Sequence, residues 1–179
     1  NPAPGEEIVG SLSTADDLNI QFAHDAVEPV KKTLTFTLEK TATAETKVKL
    51  VFDERHVDEY NFDHATEYVV FPEKLCTIAN DGVITIPAGE TSAQIEVTLS
   101  PSASDLEYVT TYMVPLQAVA QTEGIVVKDE AEYVDFLVSR IGSKKIRNIC
   151  YFEVNDCNPL NAIEYILEDG QPFFDAVVL

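Results

Sequence analysis

The chain has 179 residues, enough for one domain with an appendage. A composition of 45% hydrophobic and 24% charged residues excludes wholesale disorder, and no apolar run approaches the ~18–20 residues of a membrane-spanning helix. Twelve Lys+Arg against 31 Asp+Glu give a formal net charge of −19, which argues against nucleic acid and anionic lipid surfaces and leaves a neutral or cationic partner.

Residues 1–17 carry Pro2, Pro4, Gly5 and Gly10 without a helical or strand period, and are expected to be a tether. Period two then dominates. Leu34, Phe36 and Leu38 alternate with threonines, Val48, Leu50 and Phe52 with lysines, and Ile95, Val97 and Leu99 with polar residues. These are strands with one wet face. Leu18–Phe22, Tyr68–Phe71, Ile84–Ile86, Tyr112–Val119 and Tyr133–Val138 are further strand candidates. Pro115 interrupts one of them and predicts an edge position or a bulge there, because proline cannot donate to a ladder. About eight short strands over 18–138 predict an antiparallel, Greek-key-like β-sandwich. One short helix is expected over Glu54–Tyr60, with Val57 and Tyr60 on a shared face.

The pattern changes after Val138. Arg140, Lys144, Lys145 and Arg147 surround Gly142-Ser143 and predict a linker over 139–147, whereas residues 1–138 hold 8 basic and 25 acidic side chains, a net of −17. From 148 the chain reads as a β-α-β unit. Ile149–Phe152 is a continuous apolar run, Asn158 and Pro159 suit a helix start, Leu160, Ile163 and Leu167 line one stripe, and Gly170 ends it. Phe173 to Leu179 supplies the second strand. A lone unit of this kind cannot bury its strands, so it reads as the start of a larger α/β fold, a truncated barrel, with exposed strands able to self-associate. Met113 is the single methionine, and Asn1 is expected to be a processed end or a cut. Cys76, Cys150 and Cys157 are too sparse and odd a set for a disulfide framework and are expected to be buried free thiols.

Several strings carry a resemblance. Val51-Phe52-Asp53, Val57–Asn61, Thr66–Pro72, Ile84–Gly89 and Tyr112–Leu116 resemble the β-sandwich of domain of unknown function family 1735, found in surface lipoproteins of Bacteroidetes. Tyr151–Asn161, followed by Phe174–Leu179, is similar to the opening of the family 18 glycoside hydrolase barrel in endo-β-N-acetylglucosaminidases that carry this sandwich. The resemblance implies an extracellular site, outer-membrane-anchored through a removed lipoprotein signal, in a system that captures and cuts host glycans. It implies no catalytic residue in this chain. Family 18 enzymes work through a D-x-x-D-x-D-x-E string in which the glutamate is the general acid, and that string does not occur among the 179 residues.

Asp53-Glu54, Asp58-Glu59 and Asp63, with His56 and His64 interspersed, lack Ca²⁺-loop spacing and are expected to be a solvated acidic surface. His24, His56 and His64 lack zinc spacing and are expected at the surface. No metal and no cofactor is therefore expected. Glycan-binding surfaces stack sugars on aromatic faces beside Asn and Asp, and Trp is absent here. Tyr60, Asn61, Asp63 and Tyr68 form the one local group with that chemistry, lying around an irregular stretch where loops carry function. Their structural alternative is packing, with Tyr60 pinning the helix and Asn61 closing a turn. Three functions follow from these readings: a non-catalytic accessory sandwich that spaces or braces a barrel, a glycan-binding module in its own right, or a truncated fragment of an endo-β-N-acetylglucosaminidase acting on N-glycans.

Overall fold

The computed structural model describes residues 7–142, 149–151, 170 and 176–178. In chain order its first strands are β1 (Ile8–Thr14), β2 (Asn19–Ala23), β3 (Val30–Leu38) and β4 (Thr46–Phe52), followed by helix α1 (Arg55–His64). Then come β5 (Val69–Val70), β6 (Cys76–Ile78), β7 (Val83–Ile86), β8 (Ser92–Leu99), β9 (Thr111–Ala120), β10 (Ile125–Val127) and β11 (Tyr133–Ile141). One sheet has the order β10-β1-β3-β8-β6 and the other β2-β11-β9-β4-β7, with β5 on β9. The two face each other as a sandwich. Alternation decides what lies between them: Leu34, Phe36, Leu50, Ile84, Leu99, Leu116 and Phe136 are each at most 1% exposed and belong to one core.

The strand pattern is mainly antiparallel, as expected, but β1–β10, β2–β11 and β5–β9 pair in parallel. The first two come from one event. After β1 the chain leaves the first sheet and enters the second as β2, so a single N-terminal stretch supplies a strand to each: β1 between β10 and β3, and β2 at the edge beside β11. Asp16 and Asp17 shape this crossover: Asp16 Oδ2 accepts from the Thr33 amide at 2.7 Å and Asp17 Oδ1 from the Asn19 amide at 2.9 Å.

Four expectations need correcting. Within the 1–17 tether, Ile8–Thr14 is a sheet strand whose Ile8 and Leu12 enter the core. Its inward period runs Ile8, Gly10, Leu12, and the glycine hid it. Gly10 is a packing requirement, since a Cβ there would lie 2.5 Å from the Phe36 ring. At the other end β11 runs to Ile141, past the expected boundary at 138, with Ser139–Ile141 paired to β2. Arg140, read as a linker cation, is fixed in place: it lies 4.3 Å over the Tyr108 ring and donates to the His24 carbonyl at 2.8 Å. The helix extends to His64, four residues past Tyr60. It stops where Ala65 turns left-handed (φ 52°) and returns its N–H to the Asn61 carbonyl.

Pro115 is the fourth. It lies in β9, a central strand paired with β11 on one side and β4 on the other. Ladder parity points its carbonyl at the β4 side, where it accepts from the Asp53 amide at 3.0 Å. The reciprocal N–H would be sought by the Asp53 carbonyl, which instead accepts from the His56 amide at 3.1 Å. β4 ends at Phe52 and β5 joins β9 only at Tyr112 and Met113, so proline occupies the gap between two partners. No bulge is needed.

Two short strands, β12 (Ile149–Tyr151) and β13 (Ala176–Val178), form a separate parallel pair in register Ile149↔Ala176. A parallel pair is what a β-α-β crossover requires. The helix expected between them, Cys157, and the side chains on which self-association and the state of Cys150 depend lie outside the described residues. Cys76 is a free, half-buried thiol pushed up to about 12 by burial and by nearby Glu73.

Candidate functional site

Helix α1 lies on the outer face of the second sheet. The cause is local: β4 runs out at Phe52, and the Asp53 carbonyl opens the helix by accepting the His56 amide. Val57, 1% exposed, is the helix's buried anchor, and Met113, 1% exposed, is its counterpart on β9; both lie outside the sandwich core. Residues 112–116 of β9 are consequently buried on both faces.

Above Met113 the outer face carries an aromatic cluster. The His56 ring stacks on Tyr133 with centroids 3.6 Å apart and planes 7° from parallel, and meets the Tyr60 ring edge-on at 6.1 Å. Tyr60 stacks on His64 at 4.0 Å and lies 5.9 Å from Tyr68. Polar bonds fix the orientation. The Tyr133 hydroxyl donates to Asp53 Oδ2 at 2.9 Å, and His56 Nε2 lies 3.1 Å from Asp135 Oδ2. Asp135 Oδ1 is buried and has no hydrogen-bond partner.

The two carboxylates differ in electrostatic character. Burial raises Asp53, but the Tyr133 hydroxyl and the Arg55 guanidinium outweigh it and hold this carboxyl below the usual range. Burial raises Asp135 and prevails over the adjacent His56. The Tyr133 hydroxyl is pushed up by burial and by the carboxylate it serves. One member of the network thus holds its charge tightly and the other is burdened by it.

Between this cluster and the β1–β2 crossover runs a half-open groove of about 390 Å³, with Leu18, Asn19, Tyr60, Tyr133, Asp135 and Leu137 on its walls and Met113 among its lining. Its polar atoms and aromatic rings can orient a small neutral molecule. Nothing here resembles a nucleophile paired with a base.

Of the residues singled out from sequence, Tyr60 lines this groove and its ring meets that of Tyr68. Asn61 is engaged in structure: its Oδ1 accepts from the Thr66 hydroxyl at 2.8 Å and the Tyr68 amide at 2.9 Å, while its Nδ2 donates to the Tyr68 carbonyl at 2.8 Å. Asp63 lies with Asp58, Glu59 and exposed Phe62 around a separate shallow recess. His56 and Asp53, expected on a solvated surface, have side chains only 15% and 14% exposed because both serve this network. Tyr133, Asp135 and Asn19 were missed. Tyr133 and Asp135 are on the outward parity of a strand whose Val134, Phe136 and Val138 face inward, and that alternation was readable. Their meeting with His56, 79 residues from Asp135 in the chain, was not. Among the described residues no group of three or more His, Cys, Asp or Glu converges as a metal site, and no helix is long and apolar enough to cross a membrane.

The fold has counterparts among solved structures. EndoBT-3987 of Bacteroides thetaiotamicron, crystallised with a Man5GlcNAc product, is 30% identical with a TM-score of 0.62 over 94% of this chain and 41% of its own. A candidate carbohydrate-binding protein from Bacteroides ovatus aligns at 19% identity and a TM-score of 0.58 over 72% of this chain and 36% of its own. A multidomain Bacteroides ovatus protein including DUF1735 aligns at 11% identity and a TM-score of 0.51, over 75% and 45%. These last two speak for the fold alone. The chain spans about two fifths of the length of EndoBT-3987. No curated protein matches it. Residues 8–125 match the family model whose description reads "-like, N-terminal domain", starting on β1 and ending on β10, and the chain belongs to that N-terminal-domain family.

Proposed function

We propose that this chain is the non-catalytic accessory sandwich of an extracellular glycan-processing protein anchored at a bacterial surface, and that it spaces or braces a family 18-like barrel. One observation carries the reading: nearly the whole chain aligns at 30% identity with a portion, 41%, of a protein crystallised with a glycan product. The groove chemistry fits an accessory role, because its rings and hydrogen-bonding groups suit a neutral ligand. The appended parallel pair β12–β13 fits the first strands of a larger α/β unit. On this reading residues 7–142 form the sandwich, and a cut placed after Gly142 preserves β11 where one at 138 would remove its last three residues.

Two measurements test the proposal. The reading frame beyond Leu179 is expected to hold a D-x-x-D-x-D-x-E string, and a frame lacking it would remove the barrel partner and favour a glycan-binding relative. The chain alone, incubated with an N-glycan such as Man9GlcNAc2-Asn, is expected to release no product. Turnover by the isolated chain would overturn the non-catalytic assignment.

A further inference from the structure

We propose that the groove between the β1–β2 crossover and helix α1 is a binding site for one neutral pyranose residue of an oligosaccharide. The proposal deepens the accessory reading and rests on it for its setting, while the site itself is argued from its walls.

The groove's volume of about 390 Å³ falls inside the ~300–1,000 Å³ of small-molecule sites. Its walls mix two kinds of surface. Leu18, Met113 and Leu137 with the Tyr60 and Tyr133 rings suit the C–H faces of a pyranose, whereas Asn19 and Asp135 suit its hydroxyls. Asp135 supplies the specific feature. Its Oδ2 is engaged with His56, while its Oδ1 accepts nothing and is screened from solvent, so it is an unfilled acceptor that a sugar hydroxyl would meet once the Asp135 side chain turns to face the groove. Tyr133 is preorganised, with one face stacked on His56 and its hydroxyl tied to Asp53, so little freedom is lost when a ligand arrives.

Charge selects among ligand classes. The groove lining contains Asp135 and no Lys or Arg, on a chain of net charge −19, so anionic sugars are repelled. A cationic amine is the competing occupant. It is disfavoured because Asp135 already has His56 as a partner and lies where burial penalises its charged form. A hydroxyl asks for an acceptor without demanding a full counter-charge.

The test is an amide NMR titration of the full chain with Man5GlcNAc, maltopentaose and n-butylammonium as probes. At least one of the two sugars is expected to shift amides of residues 14–19, 60 and 133–137, with an affinity insensitive to salt. That affinity is expected to fall about ten-fold or more in Asp135→Ala, which loses the acceptor, and likewise in Leu18→Trp, which fills the groove from an exposed rim position. Should Asp135→Ala fail to fold, Leu18→Trp decides. Absence of shifts with both sugars at millimolar concentration would overturn the site, as would sugar shifts confined to the Phe62 recess. Salt-sensitive n-butylammonium binding that displaces the sugar would also overturn it, in favour of a cation site. Unchanged affinity in a folded Leu18→Trp would do the same. None of these outcomes touches the reading-frame and hydrolysis tests, so failure of the groove and failure of the accessory role remain distinguishable.

Discussion

The two sheets present opposite kinds of outer face. On the first, β3 shows Lys31, Thr33, Thr35 and Thr37 and β8 shows Gln94, Glu96 and Thr98, a polar lawn with an exposed Lys31–Glu96 pair at 3.3 Å. On the second, β9 is buried on both faces over residues 112–116, and β11 shows Tyr133, Asp135 and Leu137 beneath and beside α1. The first face does what an antiparallel sheet against water requires and no more. The second has given up the simple polar alternation, and there a groove, an aromatic cluster and an orphaned carboxylate oxygen come together. Departure from a pattern that stability alone would satisfy is a physical pointer to function.

This contrast can be broken first at the core the sheets share. Phe136→Ala removes a ring with 0% exposure and should cost about 3–5 kcal/mol, read as a fall in the midpoint of urea unfolding. The loss should be global, silencing both faces together. A loss confined to α1 would mean that the two faces are not built on one core.

Loosening only the second face is the next step. Asn61→Ala removes three hydrogen bonds tying the end of α1 to the Thr66–Tyr68 segment and should cost about 1–3 kcal/mol. Hydrogen exchange should quicken across 55–70 and stay slow in β3 and β8. Uniform acceleration would show that α1 is integral to the sandwich rather than laid upon it.

The two carboxylates under α1 offer a sharper test, because their signs oppose. Asp53 titrates lower folded than unfolded, so its contribution is present above the unfolded value and lost as pH falls through the folded one. Asp135 titrates higher folded than unfolded, so its contribution is full below the unfolded value and lost as pH rises through the folded one. Asp53→Asn should therefore flatten the acid limb of the stability profile and lower stability at neutral pH. Asp135→Asn should remove a decline on rising pH and leave neutral stability equal or higher. Matching profiles from urea unfolding across pH 2–7 would contradict the network.

The smallest effect belongs to the first face. Lys31→Ala breaks an ion pair whose side chains are 66% and 47% exposed, and should change stability by less than about 1 kcal/mol by the same measurement. A larger loss would give the polar lawn a role it does not display.

Much of the sandwich was legible because period two is a local property. Leu34-Phe36-Leu38 and Ile95-Val97-Leu99 declare which side is wet without reference to anything distant. The errors arose where a partner far along the chain decides the meaning of a residue. Gly10 looked like loop punctuation until Phe36 was placed against it, and Pro115 looked like an edge signal until β4 and β5 were seen to stop on either side of it. The aromatic cluster follows the same rule. Tyr60 and Tyr68 stand eight apart in one local segment and can be grouped from sequence; Tyr133 and Asp135, with their partners Asp53 and His56 about 80 residues away, join them only in the fold.

The sequence by itself determined the layered β architecture, the helix after β4 and the exposed acidic side chains Glu54, Asp58, Glu59 and Asp63. Hydrophobic periodicity and net charge are written residue by residue, and solvent reads them the same way in any topology. Only the tertiary structure decided that the N-terminal stretch gives a strand to both sheets, that Asn61 is a staple, and that one carboxylate is satisfied while its neighbour keeps a buried oxygen unpaired. Those outcomes depend on which distant groups are brought within hydrogen-bonding reach, and contact across 80 residues is a property of the folded chain.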